Sequence, residues 1–383
     1  MLTRAILAFL CVPFAWPQDP VVIGETTQRA SAILKETRTL YIAKPAGYDR
    51  ATDRYPVLYL LDAEEYFPFT ATLVDFLSAN DRMPRMLVVG IASGGQTQRT
   101  RDLTPPSAAE SDNRFSPGGG GADTFLEYLG AELVPYVEQT YRTRPYRLLA
   151  GHSFGGLFAV YALAAKPNLF QAYIAADPSL YWNNQAVVAQ TESFLSQTQS
   201  LQADFYFTAT DLADKVPAEI ERLRAALAKS VPRGFCWHFD WMKQEDHLSI
   251  PLPAIYRGLE TIFEPWRLGD PIALFNQGGI EAIHRRFEDA GKRFGYPERI
   301  TPPFQVSLVV AALLRAGRLP DAAKVLLHDP KTYPPPWNQL DALARAYEAR
   351  GDTREAIRYY RLSLERNPAN DVARKKLADL AAK

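Results

Sequence analysis

The stretch Leu148-Leu149-Ala150-Gly151-His152-Ser153-Phe154-Gly155-Gly156 leaves few folds open to this chain. Three apolar residues run into Gly-x-Ser-x-Gly, and a small, apolar, helix-like run follows from Leu157 to Ala165. This is the strand, sharp turn and helix of a nucleophile elbow, in which the central serine is lifted above the end of a sheet. The spacing predicts Gly151 and Gly155 at points where a Cβ would meet neighbouring backbone. A helix opening just after Ser153 aims its free N–H groups at a developing oxyanion. A small-residue turn without chemistry is the alternative, and the strand before and helix after favour the nucleophile.

The flanking segments predict the sheet. Arg38 to Pro45 alternates and reads as an early strand. Val57-Leu58-Tyr59-Leu60-Leu61, ending at Asp62, and Met86 to Ile91 are continuous apolar runs of the kind found in strands covered on both faces. Ala172 to Ala176, Asp204 to Thr210 and Phe235 to Trp241 supply further strands, with helices between them at Phe69 to Ser78, Phe125 to Val137 and Ala218 to Lys229. Alternating strands and helices predict an α/β fold with a mostly parallel sheet. Residues 93–122, broken by glycines and prolines, read as one long loop of a functional kind.

Lys plus Arg and Asp plus Glu each total 43. This balance provides no field for nucleic acid or an anionic membrane. Residues 1–18 read as an export signal, with Arg4 before an apolar segment too short to span a bilayer. No later stretch is long and apolar enough for a span, so a periplasmic or secreted location is expected. With Cys11 in that leader, Cys236 is left without a partner, and no Cys/His cluster has metal-ligand spacing. No metal or cofactor is expected.

Near residue 266 the character changes. Gly317 and Gly351, Ala322 and Ala356, and Pro334 and Pro368 recur at one period, that of tetratricopeptide units. Two such units cannot bury their apolar faces alone, so they are expected to pack on the preceding helices, on the hydrolase or on a protein partner. The expected boundaries are 1–18, the leader; 19–266, an α/β-hydrolase domain; 267–302, a helical linker; and 303–383, an all-α repeat region.

Ser153 requires a general base. The chain has 5 histidines. His152 lies inside the elbow, His238 within a strand, and His284 and His328 in the helical region, whereas His247 follows the last strand at the carboxyl edge where such sites gather. The acid is expected between Ser153 and His247 in the chain. Asp211, directly after a strand, is the first choice, and Asp214 the alternative; an Asp at either place also suits a helix N-cap. The oxyanion donors are expected to be the backbone N–H groups of Phe154 and Ala63. Arg99 and Arg101 are candidates for an anionic part of a substrate, with solvated loop charges as the alternative; Tyr181 and Trp182 are further candidates for substrate contact.

Taken together, Tyr55 to Asp62, Arg101-Asp102-Leu103-Thr104-Pro105, Gly151 to Gly156, Asp177-Pro178-Ser179-Leu180-Tyr181-Trp182, and Asp246-His247 followed by Ser249-Ile250-Pro251 resemble the esterase family that includes esterase D, enterochelin-type siderophore esterases, feruloyl and acetylxylan esterases, and mycolyltransferases. The resemblance covers about residues 30–265 and implies an α/β-hydrolase fold with Ser153 and His247 as catalytic residues. The sequence departs from the family at Ala63, where Gly commonly stands, and at 208–214, which lack the family's frequent Glu and Gly. The expectation is an exported serine esterase working through an acyl-enzyme on a small-molecule ester. The alternatives are an acyltransferase on the same triad and a partner-binding scaffold using the repeats.

Overall fold

The computed structural model describes residues 20–211, 215–296, 303–328 and 334–382. The expected leader and Asp214 lie outside the described residues.

Eight strands form one sheet: β1 (Glu25–Ser31), β2 (Glu36–Ala43), β3 (Tyr55–Leu60), β4 (Leu87–Ile91), β5 (Thr143–His152), β6 (Ala172–Ala176), β7 (Ser200–Ala209) and β8 (Arg233–Trp241). Their order is β1-β2-β4-β3-β5-β6-β7-β8. β1 with β2 and β2 with β4 are antiparallel, and every later pairing is parallel. Alternation explains the apolar runs. In β3 and just after it, Val57, Tyr59 and Leu61 enter the core on one face of the sheet, while Leu58 and Leu60 enter the core on the other. Both faces are covered, so polar residues have no place in the centre of the sheet.

The helices around the sheet are α1 (Ala63–Ala79), α2 (Gln96–Leu103), α3 (Glu110–Phe115), α4 (Ala122–Tyr128), α5 (Val134–Thr140), α6 (Phe154–Ala165), α7 (Trp182–Gln197, interrupted at Asn183 to Gln185), α8 (Ala218–Lys229) and α9 (Pro251–Ile262). Two features differ from expectation. β1 is an exposed polar edge strand with no apolar alternation to announce it. Residues 93–122 are not one long loop but carry α2, α3 and the start of α4. The buried residues of α2 are Thr100, Asp102 and Leu103, so it lacks an apolar stripe. Its buried Asp102 is instead neutralised by Arg38 and Arg101.

The C-terminal helices are α10 (Pro271–Asn276), α11 (Ile280–Arg293), α12 (Pro303–Arg315), α13 (Leu319–Leu326), α14 (Trp337–Ala349), α15 (Thr353–Arg366) and α16 (Asp371–Ala381). Gly317 and Gly351 take positive φ, 70° and 79°, at the turns inside the two repeated helix pairs. This conformation suits glycine and explains the spacing of the pair. The repeats pack on the preceding helices. Phe275, Ile283 and Phe287 share one core with Val309, Leu313, Leu340 and Tyr360. The C-terminal end of α11 enters a different core, where Ala290 and Phe294 join Tyr146 and Phe263 of the hydrolase unit. α11 is therefore more than a linker: its first turns belong to the repeat core and its last to the sheet.

Candidate active site

Three neighbouring strands, β3, β5 and β6, end in residues whose backbones L side chains rarely adopt. Asp62 has φ 52°, Ser153 59° and Asp177 42°. Such conformations cost about 1–3 kcal/mol each and persist where the surroundings over-determine them. At Ser153 the constraint is visible. Its N–H donates to the Ala176 carbonyl at 3.0 Å, and its own carbonyl accepts from the Ser179 N–H at 3.2 Å. A Cβ on Gly151 would lie 2.5 Å from the carbonyl carbon and oxygen of Gly155. Gly155 itself is less restricted than the spacing predicts, its nearest neighbour being an Asp62 carboxylate oxygen at 3.4 Å. The tighter second position is Gly156, where a Cβ would meet the Pro178 Cα at 3.0 Å.

The raised serine meets the loop after β8. The Ser153 hydroxyl lies 3.0 Å from Nε2 of His247 and 3.2 Å from the hydroxyl of Ser179. On the far side of the ring, His247 Nδ1 lies 2.7 Å from Oδ2 of Asp177. A carboxylate only accepts, so Nδ1 carries the hydrogen and Nε2 is left to accept from Ser153. Asp177 receives two more hydrogen bonds, from the Thr210 N–H and the Thr210 hydroxyl, each at 3.0 Å. Burial alone would push its carboxyl up. The hydrogen bonds from His247 and Thr210 outweigh that, and the group is held below the usual carboxylate value.

The acid expected at Asp211 is thus corrected: the carboxylate on His247 is that of Asp177. β7 pairs between β6 and β8, so the ends of both β6 and β7 are near the β8 loop. It is the positive φ of Asp177 together with the Thr210 clamp that presents the β6 carboxylate to the ring. The available signal was an aspartate closing a five-residue apolar strand, followed at once by Pro178.

Both arginines expected to meet a substrate have partners within the protein. Arg99 makes a two-pronged pair with Asp62, 2.8 Å on each side, and reaches the His152 carbonyl at 3.3 Å. Arg101 is held by Glu36 and Asp102. Both guanidinium groups are committed within the protein. Trp182 is buried, donates from its indole N–H to the Pro105 carbonyl at 2.8 Å, and packs its ring on Phe154. It packs in the interior rather than meeting solvent, while Tyr181 is exposed. Phe154 and Ala63 are the first residues of α6 and α1, so their N–H groups belong to first turns, where no intrahelical acceptor exists.

Sequence reasoning assigned no role to His152. Its ring is buried 4.5 Å, centroid to centroid, from that of His247, and its Nδ1 shares a 3.0 Å hydrogen bond with the Tyr66 hydroxyl. Burial first, and the neighbouring charge of His247 second, push its imidazole down to about 4. It is a neutral ring packed at a tilt against that of His247.

Fold and geometry together define an α/β-hydrolase with a serine–histidine site at the carboxyl edge of its sheet. The chain belongs to the family described as "Putative esterase", which matches residues 31–216, and a tetratricopeptide-repeat pattern matches 337–380. The ferri-bacillibactin esterase BesA of Bacillus subtilis is 34% identical over 271 residues, spanning 63% of this chain and 91% of that protein. The siderophore triacetylfusarinine C esterase of Aspergillus fumigatus is 27% identical over 255 residues, 57% of this chain and 85% of its own. The crystal structure of an IroE-like serine hydrolase from Shewanella oneidensis shares the fold, with a TM-score of 0.62 and 24% identity over 89% of this chain and 99% of that one. The chain is an ester-hydrolysing enzyme.

Proposed function

We propose that this protein is an exported serine esterase acting through Ser153, His247 and Asp177 on the ester bonds of a siderophore. The observation that carries the reading is the continuous line from the Ser153 hydroxyl to His247 Nε2 at 3.0 Å and from His247 Nδ1 to Asp177 at 2.7 Å. His247 takes the serine proton as the oxygen attacks the ester carbonyl, and the Asp177 carboxylate stabilises the resulting imidazolium. The N–H groups of Phe154 and Ala63 receive the oxyanion. The same proton passes to the departing alkoxide, leaving an acyl-enzyme on Ser153. Water then gives a proton to His247, attacks the acyl carbon and releases the acid.

The siderophore class rests on the substrates named for the two relatives and on the openness of the site. The His247 side chain is 47% exposed, the next residue, Leu248, stands out into solvent, and Tyr181, two residues after Ser179, is exposed. An open, partly apolar rim admits a bulky ester, whereas a long acyl chain calls for a deep apolar slot. Export rests on residues 1–18, whose charged start and short apolar run suit a cleaved leader.

Labelling with a fluorophosphonate tests the chemistry. Wild type should label at Ser153, and Ser153→Ala and His247→Ala should not. A panel comparing siderophore lactones with short p-nitrophenyl esters tests the substrate. A kcat/KM no higher for the lactones than for the simple esters would remove the siderophore assignment while leaving the esterase intact.

A further inference from the structure

Outside the hydrolase site, the helical region brings two histidines and a glutamate together. Glu281 and His284 stand three residues apart on α11, whose turns place such residues on one face. His328 lies just beyond the end of α13. The rings of His284 and His328 are 4.8 Å apart between centroids, and His328 Nε2 is 3.9 Å from a Glu281 carboxylate oxygen. One ligand atom from each of the three lies within 4.8 Å of the others. Spacing along the chain gave no sign of this group, because His328 lies far in sequence from the Glu281 and His284 pair on α11.

We propose that Glu281, His284 and His328 form a binding site for a divalent transition metal that clasps α11 to the first repeat pair. Imidazole nitrogen suits Zn2+, Ni2+ and Cu2+, whereas Mg2+ and Ca2+ take oxygen donors. Zinc bonds nitrogen or oxygen at about 2.0–2.2 Å, so the donors must draw together by roughly 1 Å on binding. The closing movement falls on the two side chains able to make it: Glu281 is 57% exposed, and His328 is one-third exposed past a helix end. His284 is buried and fixed. Three protein ligands leave a fourth position for water on the solvent side, which is also the route of entry. The clasp sits where it has mechanical effect. The first turns of α11 pack in the repeat core and its last turns against the sheet, so fixing α11 to α13 fixes the repeats to the hydrolase.

The test is calorimetric titration of the full chain, stripped with a chelator, with ZnCl2 and separately with NiCl2. Wild type should bind about one equivalent, and zinc should raise its melting temperature, as any ligand specific to the folded state does. His247→Ala should bind equally, which separates this group from the imidazoles of the hydrolase site. His328→Ala should bind at least about a hundredfold more weakly, since even an outer partner of a metal ligand is worth about 10–100-fold. It should lose the thermal shift and keep wild-type ester hydrolysis. His284→Ala removes a buried ring, so if it fails to fold, the exposed Glu281→Gln stands in for it. The proposal is overturned if wild type binds neither metal, if folded His328→Ala binds as wild type does, or if binding is lost in His247→Ala alone.

Discussion

The carboxylate of Asp177 lies 2.7 Å from Nδ1 of His247 and comes from the end of β6, one strand nearer Ser153 than the strand that leads to Asp211. Asp177→Asn should therefore lower kcat by roughly 10⁴-fold, the scale seen when the acid of such a triad becomes an amide and the wrong tautomer is favoured. Asp211→Asn should stay near wild type. Comparing the two variants on one p-nitrophenyl ester decides between them, and an equal loss in both would return the acid assignment to an open state.

Asp177 also predicts a dependence of stability on pH. Its folded value lies below the usual one, so its ionised form stabilises the fold above the ordinary carboxylate range, and this contribution is lost as pH falls towards the folded value. The stability gap between wild type and Asp177→Asn should be largest at neutral pH and close below about pH 4. Urea midpoints at several pH values measure it, and a gap that widens in acid would contradict the ionised carboxylate.

How far the chain could be read depended on where its information lay. The elbow and the central strands announce themselves because burial on both faces demands unbroken apolar runs, as in Val57 to Leu61. His247 emerges because a chain with 5 histidines leaves few candidates. Asp177 was missed because which strand end reaches the ring depends on backbone angles and on the Thr210 clamp, neither of which is a pattern of residue types. Arg99 and Arg101 looked available for a substrate for a related reason: Asp62, which holds Arg99, and Glu36, one of the two carboxylates on Arg101, lie far away in sequence.

His152 supplies a second pH-dependent prediction. Its imidazole is pushed down to about 4 by burial and by the charge of His247. Between that value and the ordinary histidine value of about 6.5, the unfolded chain takes up a proton that the folded chain does not. Stability is therefore lost as pH falls through this window. His152→Asn should flatten the loss between pH 7.5 and pH 4, as chemical denaturation will show. With the buried ring against His247 gone, kcat should fall by roughly ten- to a hundredfold with KM unchanged, as expected when a reacting group is slightly misplaced. A KM effect alone would mean that His152 serves binding instead.

The elbow glycines should not be equivalent. Gly151→Ala places a methyl 2.5 Å from the Gly155 carbonyl, which is backbone and cannot swing away. Overpacking of this kind costs about 1–3 kcal/mol, and here the relief would move the turn that carries Ser153. Gly155→Ala meets its nearest atom at 3.4 Å and should be much milder. Thermal melts and fluorophosphonate labelling of the two variants will rank them, and a Gly155→Ala as damaged as Gly151→Ala would count against this geometry.

Arg99 offers the sharpest separation of a structural role from a substrate role. The Asp62 carboxylate beside Ala63 is almost wholly buried, and burial pushes it up while the Arg99 pair opposes this. Arg99→Ala leaves that charge alone in the interior. Removing one partner of a buried pair costs about 3–5 kcal/mol, because it leaves an uncompensated buried charge. Arg99→Ala should therefore be strongly destabilised, and Arg99→Ala with Asp62→Asn should recover part of the loss. In the single variant, an unpaired carboxylate that is forced to ionise makes the deficit grow as pH rises above the ordinary carboxylate range. Because Arg99 also holds the start of α1 against the His152 carbonyl, the activity lost should fall on kcat, and equally for neutral and anionic esters. A selective rise in KM for the anionic ester would show that Arg99 meets the substrate after all.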